Sequence, residues 1–205
     1  VQLWLRGGFP ESFLATSDER SLIWREQFVQ SYLHRDIPMF APRLPRETLQ
    51  RLCTILAHLQ GAEFNAAQLA RNLDVSAQSI TRYLDLLCDL FLVRRLPAYS
   101  RNIGKRLRKS PKIYVRDSGI VHALLGIATI PELLAHPVIG GSFEGFVIEH
   151  LIAAAGAMAE CSFYRSQDGA EIDLFIALKR ERIAIEVKRS ASTKPSRGFH
   201  IASND

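Results

Sequence analysis

Asp173, Glu186 and Lys188 are charged residues set inside two apolar stretches of "AEIDLFIALKRERIAIEVKRS", residues 170–190. Burying an unpaired carboxylate is costly, and two close together repel, so the arrangement needs compensation. A divalent cation supplies it. Hard oxygen ligands from Asp173 and Glu186, with the Val187 carbonyl as a further donor, suit Mg²⁺ or Mn²⁺. Such an ion would lower the pKa of a bound water and polarise a phosphoryl oxygen, while the Lys188 ammonium positions that water or stabilises developing charge. This is the chemistry of phosphodiester hydrolysis. A structural alternative fits the same spacing: a cross-strand ion pair between Asp173 and Lys188, with Glu186 exposed on an edge strand.

Three strands must position these residues. "CSFYRS" reads as a strand, the Asp168-Gly169 pair in "QDGA" as a two-residue hairpin turn, and "EIDLFIAL" as the returning strand. A second turn near Arg180 and Glu181 brings back "RIAIEVKRS", giving an antiparallel meander. By alternation Asp173 faces away from Ile172 and Leu174, while Ala184, Glu186 and Lys188 share a face. A two-residue second loop would place Asp173 across from Lys188 and diagonal to Glu186.

Upstream, "RETLQRLCTILAHL" puts Leu49, Leu52, Cys53, Leu56 and Leu59 on one helical face. In "NAAQLARNLDV" Asn65 caps a short helix through Leu69 and Leu73. After a break at Asp74 and Val75, Ser76 caps "AQSITRYLDLLCDLFLV", with Ile80, Leu84, Leu87 and Phe91 as its core face. Two helices joined by a tight turn, the second followed by basic extended chain, have the shape of a winged helix-turn-helix. Gln78, Ser79 and Arg82 would then face the major groove of DNA. From Arg94 to Arg116 the chain carries Arg95, Arg101, Lys105, Arg106, Arg108, Lys109 and Lys112 with no acidic residue among them. Its part from Arg94 to Arg108 would be the wing over the phosphate backbone, with Lys109 just beyond it.

The chain has 205 residues, of which 47% are hydrophobic and 23% charged, with a net charge of +5. No apolar run approaches the roughly 20 residues of a membrane span, so no membrane partner is expected. The opening "VQLWLRGGFPES" has no basic run leading into an apolar core and so is not a secretory signal. Cys53, Cys88 and Cys161 lie far apart among apolar neighbours, which argues against a disulfide framework or zinc pair and for a reducing cytoplasm. "SDERSLIWREQFVQSYLHRDI" reads as a helix capped by Ser17, with Leu22, Ile23, Phe28, Val29, Tyr32 and Leu33 available for packing. "PMFAPRLPRE", with three prolines, reads as a linker. The expected organisation is a helical segment and linker over 1–44, a winged helix-turn-helix over 45–110 and a second domain over 111–205, in an α/β (α+β) class.

The spacing of Asp173, twelve residues, then Glu186-Val187-Lys188 resembles the signature of the PD-(D/E)XK nuclease superfamily, the restriction-endonuclease-like fold. That resemblance implies a further acidic residue on the helix before the first strand, and "GSFEGFVIEHLIAA" supplies Glu144, with Glu149 on the opposite side. The implied catalytic set is Glu144, Asp173, Glu186 and Lys188. Arg165 and Gln167 resemble polar positions that accompany the motif, with surface hairpin residues as the plainer reading. His150 is expected to be a surface or packing residue, and Tyr114 and Asp117 to shape a strand end and a helix start.

In order along the chain, "LRGGFPE", "YLHRDI", "SITRYLDLLCDLFLVRRLPAYSRN", "KSPKIYVRDSGIVHALLG", "GSFEGFVIEHLI", "FYRSQDGAEIDLFI" and "IAIEVKRS" are similar to one family. It is the domain of unknown function found C-terminal to the P-loop core of a prokaryotic AAA-family ATPase. The resemblance implies a winged helix followed by a PD-(D/E)XK-like domain, carried by that ATPase, and the function expected from it is a nucleic-acid-binding module whose site could hydrolyse DNA with Mg²⁺ or Mn²⁺. The alternative is a non-catalytic domain that recognises DNA or a protein partner. No G-x-x-x-x-G-K-[ST] loop occurs, so ATP would enter only through the attached ATPase domain. The lack of an initiating Met points to a fragment, and the stop at Asp205 to a nuclease-like part short of a covering helix and strand.

Overall fold

A computed structural model of the chain describes residues 1–40, 44–99, 110–166, 169–190 and 194–204, the last four by backbone alone. The fold is mixed α+β. It opens with α1 (Gln2–Arg6), α2 (Pro10–Phe13) and α3 (Asp18–Ser31). Ser17 caps α3 as the sequence predicts, its Oγ accepting the Arg20 N–H at 3.2 Å. Beyond Ser31 the helix continues through a π-helical turn, Tyr32–Asp36, into α4 (Ile37–Phe40). Val29 and Leu33 are buried, whereas Ile23 is exposed.

Three helices follow: α5 (Arg46–His58), α6 (Ala66–Leu73) and α7 (Ala77–Asp89). Asn65 and Ser76 cap α6 and α7, and Asp74 makes the break between them in the left-handed region at φ 53°. The expected core faces are buried except at their ends. Leu59 lies past the end of α5, and Phe91, with φ 58°, lies past the end of α7 and is 75% exposed. The Phe91 ring instead receives the Arg116 guanidinium at 5.7 Å.

The strands β1 (Val93–Leu96) and β2 (Lys112–Val115) pair antiparallel, with Val93 opposite Val115 and Leu96 opposite Lys112. Arg101, Lys105, Arg106, Arg108 and Lys109 lie outside the described residues. All four residues of β2 are buried because the strand separates two cores. Its side chains alternate: Ile113 and Val115 join the large helical core, and Tyr114 joins a smaller one with Ile148, Phe163, Leu174 and Ile176.

Asp117 caps α8 (Ser118–Leu124), accepting the Ile120 N–H at 2.9 Å. A Thr129–Glu132 capping box starts α9 (Ile130–Ala135), and α10 (Ile139–Ala155) follows. The expected meander is present: β3 (Glu160–Arg165), β4 (Glu171–Ala177) and β5 (Arg182–Ile185) form an antiparallel sheet in that order. Its first turn is closed by the Ser166 N–H on the Ala170 carbonyl at 2.9 Å, with Gly169 at φ 82°; Gln167 and Asp168 lie outside the described residues. After β5 a further helix, α11 (Arg197–Asn204), packs on β4, so the sheet has a covering helix that the sequence reading did not supply.

The N-terminal helices share the large core with α5–α8. Arg25, fully buried on α3, ties them together by donating to the Leu5 carbonyl at 3.2 Å and the Gly119 carbonyl at 2.8 Å. Burial lowers its guanidinium pKa to about 10.

Candidate functional site

The loop between β4 and β5 decides which charges meet. Ala177 pairs with Arg182, leaving four residues in the loop, and Leu178 N–H donates to the Glu181 carbonyl at 2.8 Å. With Leu174 opposite Ile185, the register brings Glu186 rather than Lys188 beside Asp173. This corrects the two-residue loop and, with it, the Asp173–Lys188 pair. Lys188 lies 3.4 Å from Glu186 and donates to the Lys194 carbonyl at 2.7 Å. Glu186 Oε2 also accepts the Ser196 N–H at 2.8 Å, and Asp173 Oδ2 accepts the Val187 N–H at 2.7 Å. β5 ends at Ile185, so Glu186 and Lys188 stand just past the ladder rather than within it.

Glu144, on α10, is 23% exposed at its side chain and reaches toward the same sheet. Its Oε1 accepts the Tyr114 hydroxyl at 2.6 Å and lies 3.2 Å from Lys112 Nζ. Lys112 Nζ is also 2.7 Å from Glu171 Oε1. Glu171 and Asp173 share a face of β4, two positions apart. Lys112, Glu171 and Tyr114 therefore belong to the cluster, though the sequence reading did not place them there. The available signals were the i, i+2 pair of acids on one strand and a lysine opening the "KIYV" strand.

The electrostatics follow this arrangement. Burial pushes the Asp173 carboxyl up to about 6, with Glu144 and Glu171 adding to the rise while the Val187 N–H and Lys112 oppose it. Burial works against the Lys112 ammonium, yet Glu144, Glu171 and Asp173 outweigh it and raise its pKa. Burial also pushes Glu186 up, but Ser196 and Lys188 overcome it and hold that carboxyl below its ordinary value.

The described cations of the basic stretch are spent internally. Glu149, facing away from Glu144 as expected, accepts from Arg94 Nη2 and Arg116 Nε, each at 3.0 Å. Arg95 lies 2.6 Å from Asp85, and Lys112 is 4% exposed. These four cations are therefore not a free phosphate-binding face, because each already meets a carboxylate.

On α7, Gln78 and Arg82 are exposed one turn apart. Ser79 is half-buried, with its N–H on Ser76 Oγ at 3.0 Å and the two hydroxyls 2.9 Å apart. Arg165 pairs with Glu63 at 3.3 Å. His150 is a surface residue whose Nδ1 lies 2.7 Å from the Phe146 carbonyl.

Among the described residues, no three His, Cys, Asp or Glu side chains gather so as to hold a metal ion. Glu144, Glu171, Asp173 and Glu186 each hold a protein donor in this arrangement. No helix among them is long and apolar enough to cross a membrane.

Residues 1–130 match the family described as Domain of unknown function (DUF8612). The chain belongs to this family. Beyond the DUF8612 region, residues 139–205 match Domain of unknown function (DUF4143), a domain known to follow AAA ATPase domains. The chain is similar to Uncharacterized protein Rv2008c of Mycobacterium tuberculosis and Uncharacterized protein Mb2031c of Mycobacterium bovis. It is 44% identical to each over 201 residues, which cover 98% of this chain and 45% of the relative. The chain thus spans less than half the length of these relatives. No solved structure matches it.

Several side-chain contacts join the DUF8612 region to the DUF4143 region, the following among them. Lys112 meets Glu144 and Glu171, Arg94 and Arg116 meet Glu149, and Trp4 meets Ser142.

Proposed function

We propose that this chain is a nucleic-acid-recognition module coupled to an AAA-family ATPase, in which α5–α7 with β1 and β2 act as a winged helix-turn-helix. One observation carries the reading: α7, entered through the left-handed break at Asp74 and the Ser76 cap, leaves Gln78 and Arg82 exposed on its first turns. A helix start presented in this way can meet the edges of bases in a major groove, while basic chain between β1 and β2 meets the backbone. The coupling to an ATPase rests on the DUF4143 match. The nuclease-like half is read as a scaffold, because Glu144 and Glu171 are tied up by Lys112 and Tyr114.

Fluorescence anisotropy with labelled duplex DNA over a salt series tests this. Binding that weakens steeply with salt supports it, because phosphate contacts release counterions. Salt-insensitive association with a protein instead would move the module to protein recognition, and no DNA binding at low salt would end the proposal.

A second reading is favoured by Asp173 and Glu186 occupying neighbouring positions at the end of the β4–β5 ladder, with Lys188 3.4 Å from Glu186. In it the intact protein hydrolyses DNA with Mg²⁺ or Mn²⁺. It requires Asp173→Ala and Glu186→Ala each to abolish cleavage while DNA binding persists; cleavage that survives both changes excludes it.

A further inference from the structure

Two carboxylates meet one buried ammonium at the junction of β2, β4 and α10. Lys112 Nζ lies 2.7 Å from Glu171 Oε1 and 3.2 Å from Glu144 Oε1, with the Phe163 ring centroid at 5.5 Å. Asp173 is close enough for its charge to act on Lys112, and it shares the Glu171 face of β4. A single buried cation thus offsets several negative charges, and without it the carboxylates would repel one another in a partly dry setting. The lone pairs it occupies are those a hard cation would need. Glu144 Oε1 is doubly committed, because the same oxygen also accepts the Tyr114 hydroxyl at 2.6 Å.

We infer that Lys112 is a tethered cation that sits between Glu144 and Glu171 where a divalent ion would otherwise bridge them, and so excludes Mg²⁺ and Mn²⁺ from this cluster. Charge supplied by a side chain needs no ion from solution, is present at every ion concentration and cannot exchange. The lysine belongs to the DUF8612 region and the carboxylates to the DUF4143 region, so the ion pair that keeps the cluster closed also pins one region to the other. The inference concerns this cluster alone and does not depend on DNA binding by α7.

Calorimetric titration of Mn²⁺ into the wild-type protein and into Lys112→Met tests it, alongside thermal unfolding with and without Mn²⁺. Lys112→Met should acquire one Mn²⁺ site at least roughly tenfold tighter than anything in the wild type, and Mn²⁺ should raise its Tm more. Adding Glu171→Gln should remove that gain. Equal affinity in the two proteins, or a folded Lys112→Met that binds no more tightly, would overturn the inference.

Should Lys112→Met fail to fold, the wild type still decides the matter through ¹⁵N NMR of its lysine ammonium groups. The Lys112 signal should be unmoved by added Mg²⁺, and its displacement by Mg²⁺ would show that the ion enters the cluster.

Discussion

The Trp4 indole Nε1 donates to Ser142 Oγ at 3.0 Å, joining α1 to α10. Ser142 in turn lies 2.7 Å from His122 Nε2, and His122 Nδ1 lies 2.9 Å from the Leu5 carbonyl. A carbonyl can only accept, so Nδ1 carries the proton and Nε2 accepts from the Ser142 hydroxyl, which accepts from Trp4. Every member of this chain is buried, which makes the serine–histidine pair an internal tie rather than a nucleophile that substrate could reach.

Ser142→Ala should destabilise the protein by about 1–3 kcal/mol, because it leaves the Trp4 N–H and the His122 Nε2 buried without partners. Trp4→Phe, which removes the donor together with its need for a partner, should cost less than Trp4→Ala. Urea unfolding of the three variants checks this; a Ser142→Ala midpoint equal to that of the wild type would show that the tie adds nothing.

His122 should make stability depend on pH. Burial depresses its pKa from 6.5 to about 4, and the proximity of Arg25 and His136 acts in the same direction while the Leu5 hydrogen bond opposes it. Between those values the unfolded chain binds the proton and the folded chain does not. The contribution is therefore complete above pH 6.5 and is lost as pH falls toward 4, by roughly 3 kcal/mol in total. Urea midpoints measured over that window should slope upward with pH, and His122→Gln should flatten the slope. A slope that persists in His122→Gln would place the titration on another group.

What could be read from the sequence divides by range. The caps at Ser17, Asn65, Ser76 and Asp117 were legible because a capping side chain bonds to backbone only a few positions away. The β3–β4–β5 meander was legible from alternation and turn residues. The β4–β5 register was not, because two extra loop residues, Leu178 and Lys179, exchange Lys188 for Glu186 as the neighbour of Asp173. Lys112 looked like one more cation in a basic run; its partners lie 32 and 59 positions away and only the folded sheet brings them to it. The burial of Arg25 was equally hidden, since its acceptors are backbone carbonyls of remote segments.

Asp173 should show the opposite pH behaviour to His122. Its carboxyl is raised from 3.8 to about 6, chiefly by burial, so the folded state holds a proton that the unfolded state has released. Stability from this group is present below pH 3.8 and is lost as pH rises through 6. Asp173→Asn keeps an acceptor for the Val187 N–H and removes the charge, so it should stabilise the protein at pH 8 by on the order of 1 kcal/mol and do little at pH 4. Denaturation of both proteins at the two pH values checks the sign, and a variant less stable at pH 8 would mean that Asp173 contributes more as a partner of Lys112 than it costs as a buried charge.

Arg82→Ala separates the two ways in which α7 could meet DNA. Arg82 is exposed on the turn after the Ser76 cap, so its removal should leave the unfolding midpoint nearly unchanged. If the guanidinium sits on a phosphate, affinity falls by a similar factor for every duplex, and the slope of log affinity against log salt drops by about one. If it reads a base edge, the loss is concentrated on preferred sequences and amounts to about 1–3 kcal/mol there, with discrimination between sequences reduced. Anisotropy with a panel of duplexes at two salt concentrations distinguishes these outcomes. Affinity and slope both unchanged would remove α7 from the interface and leave the chain between β1 and β2 as the place to look for the contact.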